Sequence, residues 1–180
     1  MKNVDQVDRM DEFLEYLKGL NPNYDLELIK KAYLTAATMH NGQLRKSGEP
    51  YIIHPVETAK ILAQLGMDEQ TIVAGLLHDV GKRFVDMDII CGTWPLTGEA
   101  RETWKNHPHY GVDYLKKHFD FPSLVYTGIL EHHEWYNGSG YPYGKSGDEI
   151  PLFARIIKLA DCYDALISKR PSRDAQTPSD

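Results

Sequence analysis

At 180 residues, with 42% apolar and 26% charged side chains, the chain is expected to form one domain, residues 1–180, large enough to bury a core without covalent staples. Its net charge of −6 argues against a non-specific grip on duplex nucleic acid, which rests on clustered Lys and Arg, but allows a phosphorylated small molecule where bound cations reverse the sign locally. Two cysteines, Cys91 and Cys162, make no disulfide framework, no signal-like start is present, and no apolar run approaches the ~20 residues of a membrane span, so a cytoplasmic protein without membrane contact is expected.

Val4, Val7, Met10, Phe13, Leu14 and Leu17 recur at helical spacing over residues 4–18, with Gly19 as a stop and Asn21-Pro22-Asn23 as a turn. Residues 1–22 therefore read as an N-terminal helix with its turn. A second helix is predicted from Leu26 to His40, with Asp25 as N-cap and Leu26, Ile29, Tyr33, Ala36, Ala37 and His40 on one face. A basic loop over residues 42–54 leads to Tyr51 and His54, and Pro55 suits the first turn of a third helix that reaches about Gln64. Gly66 breaks that helix, Asp68 opens a fourth, and the run Thr71–Leu77 delivers His78 and Asp79 near its C-terminal end.

A short helix is expected between Gly81 and Leu96, before Gly92 and Pro95. Thr97 caps a helix through Trp104, and Asn106-His107-Pro108 starts another. Phe121-Pro122-Ser123 begins the next, which carries Leu124, Val125, Ile129 and Leu130 into His132-His133. Residues 136–148 hold four glycines and a proline and read as a loop. Pro151 starts a last helix, with Leu152, Ile156, Leu159, Ala160 and Tyr163 on its apolar side and Asp161 and Asp164 along it. Residues 171–180 are polar and are expected to fray. No convincing alternation marks a strand, so the fold is predicted to be all-α.

His78-Asp79 is the stretch around which the chain is organised. Alone such a dipeptide means little, but His54 precedes it and His107, His132, His133 and Asp161 follow, all at or near predicted helix ends. A set of imidazoles and carboxylates converging from several elements is what a metal centre needs. Neighbours on a helix point about 100° apart, so Asp79 can bridge two cations while His78 binds one, and His132 and His133 can face different metals. Two divalent cations close together lower the pKa of a shared water and neutralise charge on a phosphoryl group. Imidazole-rich ligation suits Fe, Mn or Zn better than Ca or Mg.

Blander readings compete at each position. His40, His109 and His118 read as caps or satisfied core residues. Asp161 and Asp164 share a helical face and can be surface charge or capping groups, though Asp161 follows an apolar run. Lys82 is either solvated or a holder of a phosphate oxygen, and the loop around Tyr141 either a connector or a substrate wall. Arg45 with Lys46, and Arg170 with Arg173, are either exposed charge or anion clamps.

Taken as a set, His78-Asp79-Val80-Gly81-Lys82, His107-Pro108-His109-Tyr110-Gly111, His132-His133-Glu134, Gly140-Tyr141-Pro142, Ala160-Asp161-Cys162-Tyr163-Asp164-Ala165-Leu166 and Arg170-Pro171-Ser172-Arg173 resemble the HD-GYP family over residues 76–178. That resemblance implies an HD-domain helical bundle that opens cyclic di-GMP with two or three metals, Fe or Mn first and Zn as the alternative. It implies His78, Asp79, His107, His132, His133 and Asp161 as metal ligands and Lys82 at a phosphate or the attacking water. It also implies Tyr141 in the substrate-facing loop, and Arg170 and Arg173 at the guanine or phosphate. Ser172 departs from the aromatic residue usual there, which bears on substrate fit.

Residues 23–80 resemble instead the hydrolase domain of Rel/SpoT-type enzymes, which act on ppGpp, through His40-Asn41-Gly42-Gln43-Leu44-Arg45-Lys46-Ser47-Gly48-Glu49-Pro50-Tyr51-Ile52-Ile53-His54-Pro55. By that likeness His54 is a metal ligand and Arg45 touches the guanine. That family follows its His-Asp pair with Glu-Asp, where this chain has Lys82-Arg83. The expectation is an HD superfamily metallophosphohydrolase, with catalytic Asp79 and Lys82, cyclic di-GMP as substrate and a homodimer as an option. The alternatives are a (p)ppGpp or other nucleotide pyrophosphohydrolase, or a non-catalytic nucleotide-sensing or partner-binding module.

Overall fold

The computed structural model describes residues 4–45, 47–90 and 95–168, with side chains from Arg9 onward in those ranges. Lys46, Cys91, Gly92, Arg170, Arg173 and the polar tail, about which the sequence raised expectations, lie outside them. The elements are α1 (Val4–Leu20), α2 (Leu26–Met39), α3 (Ile53–Gln64), α4 (Glu69–Leu77), α5 (Met87–Ile90), α6 (Gly98–Lys105), α7 (His107–His118), α8 (Ser123–Glu131) and α9 (Leu152–Ile167). Short 3₁₀ turns cover Val80–Phe84 and Gly147–Glu149. Extended pairing among the described residues is confined to two isolated bridges, Leu44 with Pro50 and Asn137 with Ser146, so the all-α expectation holds.

The caps form where short polar residues precede apolar runs. The Asp25 carboxylate accepts from the Leu28 N–H and that of Asp68 from the Thr71 N–H, each satisfying a helix-start donor that has no intrahelical partner. Two boundaries differ from expectation. Helix α1 runs past Gly19, whose backbone has ordinary helical handedness. Helix α3 begins at Ile53, so His54 lies inside its first turn and not ahead of it.

Helix α4 is the centre of the fold. Thr71–Leu77 is buried on every side, with α2, α3, α8 and α9 packed around it. A helix apolar all round has to be enclosed in this way. Burying it carries its C-terminal residues, His78 and Asp79, into the interior at 0% and 1% exposure. The outer wall is α1, which lays Met10, Phe13 and Leu17 against α2 and α3.

Helix α9 keeps part of the expected face, with Ala160 buried and Ile156 packed against the core, and turns the rest of it outward. Leu152, Leu159 and Tyr163 are exposed, at 62%, 67% and 43%, while Ala154, Ile157, Ala160 and Asp164 face inward. The helix packs on α3, α4 and α8, and small residues on that face allow close approach while the acidic side chains enter the interior. Helical spacing placed Ile156 and Ala160 on the core side, and tertiary packing turned Leu152, Leu159 and Tyr163 outward.

Gly81 is where the chain turns from α4 toward α7. A Cβ there would overlap the His107 carbonyl oxygen and sit 2.6 Å from the Gly111 nitrogen, both backbone atoms unable to step aside cheaply. Gly81→Ala is therefore expected to cost about 3 kcal/mol of unfolding free energy in a urea titration. Gly19→Ala, with open space around the added methyl, should instead stabilise by about 0.5 kcal/mol.

Candidate metal centre

Three helix C-termini meet at the interior end of α4. His78 closes α4, His132 closes α8, and His107, one residue past the Asn106 cap of α6, is the first residue of α7. Each ring donates its Nδ1–H to the carbonyl three residues back: Gly75 at 2.8 Å, Ile129 at 2.7 Å and Trp104 at 2.8 Å. Those carbonyls belong to the last turns of α4, α8 and α6, where helices lack internal donors. The bond fixes each ring and tautomer, leaving Nε2 as the free acceptor. Three converging C-termini also contribute partial negative charge, which favours cations.

Every one of those Nε2 atoms is buried without a hydrogen-bond partner, as are His133 Nε2 and Asp79 Oδ1. Buried polar atoms are rarely left so, and a cluster of them could hold a cation. The atoms divide into two groups sharing one carboxylate. Asp79 Oδ1 faces His107 Nε2 at 3.4 Å, with His132 and His133 in the same group. Asp79 Oδ2 faces His78 Nε2 at 3.3 Å and His54 Nε2 at 3.7 Å. Asp161 Oδ1 completes the second group, 3.0 Å from His54 Nε2 and 3.8 Å from His78 Nε2. His132 and His133 thus fall on the same side of Asp79.

Other side chains brace this arrangement. Lys82 Nζ donates to Asp79 Oδ2 at 2.6 Å and to the Tyr51 hydroxyl at 2.9 Å, and Tyr51 donates to the same Oδ2 at 2.8 Å. Burial pulls the Lys82 pKa down, but Asp79 and its neighbours outweigh it and the ammonium stays above its usual range. Burial likewise raises Asp79, yet His78 and Lys82 hold the carboxyl well below the ordinary carboxylate range. Burial raises the Tyr51 and Tyr141 hydroxyls, so both remain protonated.

The glycine-rich segment is anchored beside His133. The buried Glu134 carboxylate accepts from the backbone N–H of Tyr143 at 2.6 Å and of Lys145 at 3.0 Å. A Cβ on Gly140 would come within 2.5 Å of Glu134 Cα and 2.6 Å of the His133 oxygen, so only glycine lets the loop pass. The Tyr141 ring then stacks on His133 at 4.6 Å.

His54, His78, Asp79, Lys82, His107, His132, His133, Tyr141 and Asp161 therefore come together. Arg45 approaches through Asp164, which it meets at 3.1 Å. Sequence reading did not single out Tyr51, and left Asp164 among surface or capping groups. The spacing of Asp164 from Asp161, on a helix whose small residues face inward, was the available signal. His40 is buried against Tyr51 and bonded to Gln43, in line with its bland reading.

The family model for the HD domain matches residues 38–180. The chain belongs to the HD domain family. Over 125 residues it is 37% identical to the cyclic di-GMP phosphodiesterase response regulator RpfG of Xanthomonas campestris pv. campestris, covering 65% of this chain and 32% of that protein. It is 33% identical over 137 residues to the cyclic di-GMP phosphodiesterase PA4108 of Pseudomonas aeruginosa, covering 72% of this chain and 33% of that one. A 59-residue stretch is 61% identical to a GTP pyrophosphokinase of Myxococcus xanthus, covering 33% of this chain and 8% of the relative. This HD domain therefore spans about a third or less of the length of these relatives. Its fold matches Bd1817, an HDGYP protein from Bdellovibrio bacteriovorus, with a TM-score of 0.56 at 23% identity, covering 92% of this chain and 59% of that one. No described helix is long and apolar enough to cross a membrane.

The ring environments set opposite pH trends in the metal-free protein. Burial lowers His54, but hydrogen bonds to Asp161 and Asp164 outweigh it and raise the ring from 6.5 to about 9. Its stabilisation is complete below 6.5 and is lost as pH rises through 9. Burial lowers His107, His132 and His133, so their contribution is complete above 6.5 and falls away as pH drops below it. Chelator-treated protein should therefore show its highest melting temperature near pH 6.5, and His54→Gln should flatten the decline between 6.5 and 9.

Proposed function

We propose that this HD domain is a two-metal phosphohydrolase acting on a small guanine nucleotide, with cyclic di-GMP as its first substrate. One observation carries the reading: a single buried carboxylate, Asp79, presents its two oxygens to two separate imidazole groups. His54, His78, Asp161 and Asp79 Oδ2 would hold one divalent cation, and His107, His132, His133 and Asp79 Oδ1 the other. Imidazole-rich ligation favours Fe or Mn, with Zn as the alternative. Bound there, such cations supply a water of lowered pKa and positive charge for the phosphoryl oxygens.

The side chains around them do the rest. Asp79 fixes the spacing of the two groups. Lys82, kept charged by Asp79, would stabilise an anionic oxygen at the edge of the site. Tyr141, stacked on His133, would form a wall of the site on that side. Arg170 and Arg173, beyond the described residues, are proposed to reach the guanine or phosphate.

The phosphodiester reading draws support from relatives that match 65% and 72% of the chain. A second reading, a (p)ppGpp pyrophosphohydrolase, rests on the 61% identity of a 59-residue stretch to one GTP pyrophosphokinase and on 47% identity to another over 68% of the chain. Incubating the manganese-loaded chain with each nucleotide and separating the products distinguishes them. Cyclic di-GMP is expected to be consumed, and turnover of ppGpp alone would overturn the first substrate. Asp79→Asn should lower kcat by about 10³-fold or more, and Lys82→Met by about 10²-fold. His133→Ala should reduce the metal bound per chain, as read by elemental analysis.

A further inference from the structure

The ligating rings are oriented in two different ways. His78, His107 and His132 lean on backbone carbonyls three residues back, which no side-chain substitution elsewhere removes. His54 has no such option. It sits in the first turn of α3, and the carbonyl three residues back, that of Tyr51, already accepts from the His54 backbone N–H at 3.1 Å. Helix starts offer spare donors, not spare acceptors. The ring therefore needs an acceptor from outside its own helix, and receives one from α9: Nδ1 lies 2.6 Å from Asp164 Oδ2.

Asp164 is itself pinned. It is 2% exposed, and the same Oδ2 receives Arg45 Nη2 at 3.1 Å. Ser168 Oγ donates to Oδ1 at 3.3 Å and accepts from Arg45 Nη1 at 3.2 Å. Both terminal nitrogens of Arg45 are thus engaged and its side chain is only 11% exposed. We infer that Arg45 and Asp164 are a positioning pair that orients His54, and so sets the affinity of the His54–His78–Asp161 side of the centre for its cation. The inference rests on the metal-centre reading above and assigns Arg45 a role through Asp164 in place of nucleotide contact.

The pair also joins the two parts of the chain. Arg45 lies in the stretch that resembles Rel/SpoT enzymes, and Asp164 in the stretch that resembles HD-GYP proteins. A carboxylate behind a ligating histidine fixes its tautomer and raises its basicity, and losing such a partner costs about 10–100-fold in metal affinity. The guanidinium holds the carboxylate in place by two directed contacts, which the point charge of a lysine only partly reproduces.

Titration calorimetry of Mn²⁺ into the full chain tests this. Asp164→Asn is expected to weaken one of two Mn²⁺ sites by about 10–100-fold and leave the other unchanged. Arg45→Met should weaken the same site by about 10-fold, with partial recovery in Arg45→Lys. If Asp164→Asn fails to fold, the Arg45 variants carry the test. With bis(p-nitrophenyl) phosphate as probe, Arg45→Met should lower kcat at limiting Mn²⁺ and leave KM unchanged; a raised KM with wild-type Mn²⁺ affinity would overturn the inference in favour of direct contact. In metal-free protein, nitrogen-resolved NMR should show the His54 Nδ1 proton at low field, and Asp164→Asn should shift it upfield; an unmoved resonance also overturns the inference. If the wild-type chain binds no Mn²⁺, the metal-centre reading fails, while the His54 resonance still decides whether Asp164 orients that ring.

Discussion

A carboxylate held at 1% exposure in the middle of a helical bundle has to be compensated on every side, and Asp79 is compensated by residues from three parts of the chain. Lys82 follows it by one turn, Tyr51 arrives from the loop before α3, His78 is its neighbour and His107 opens α7. Desolvating a carboxylate is expensive, and removing a partner leaves an uncompensated buried charge. The close approach of Gly81 to the His107 backbone, the enclosure of α4 and the burial of Tyr51 all serve to bring these groups within reach.

The same economy governs the histidines. Helix ends are the places where backbone carbonyls lack partners, and imidazoles placed just beyond them satisfy one need with the other. A ring tied by Nδ1 in this way must point Nε2 away from its helix. With α4, α6 and α8 ending near one another, the free nitrogens are aimed at shared space. His54 comes from a helix start, and the long-range contact to Asp164 supplies what its own backbone cannot. One half of the centre is thus built from local geometry and the other from a tertiary contact, which makes the two halves unequal in their tolerance of substitution.

The relatives give this inequality a setting. Residues of the first part, including Arg45, Tyr51 and His54, meet Lys82, Asp161 and Asp164 of the second around the same acid. The two likenesses read from the sequence meet near Gly81, whose backbone passes against α7. Compatibility of the two parts is therefore a matter of specific contacts at the centre as well as of shared helical architecture.

Much of this was legible in the chain itself. Helical spacing, the Asp25 and Asp68 caps and the absence of strand alternation determine most of the helices, because these depend on residues within a few positions of one another. The spread of imidazoles and acids near predicted helix ends marked the donor set, because few other uses demand so many such groups. What local pattern could not decide was direction. The inward face of α9 is chosen by what α3, α4 and α8 leave room for, so Leu152, Leu159 and Tyr163 face outward against expectation. Tyr51 and Asp164 acquired their places only through partners 28 and 110 residues away, and contacts at that distance have no signature in neighbouring residues. The sequence by itself determined which groups could hold a cation; only the tertiary packing decided which oxygen of Asp79 each of them faces, because that depends on how separate helices converge in space.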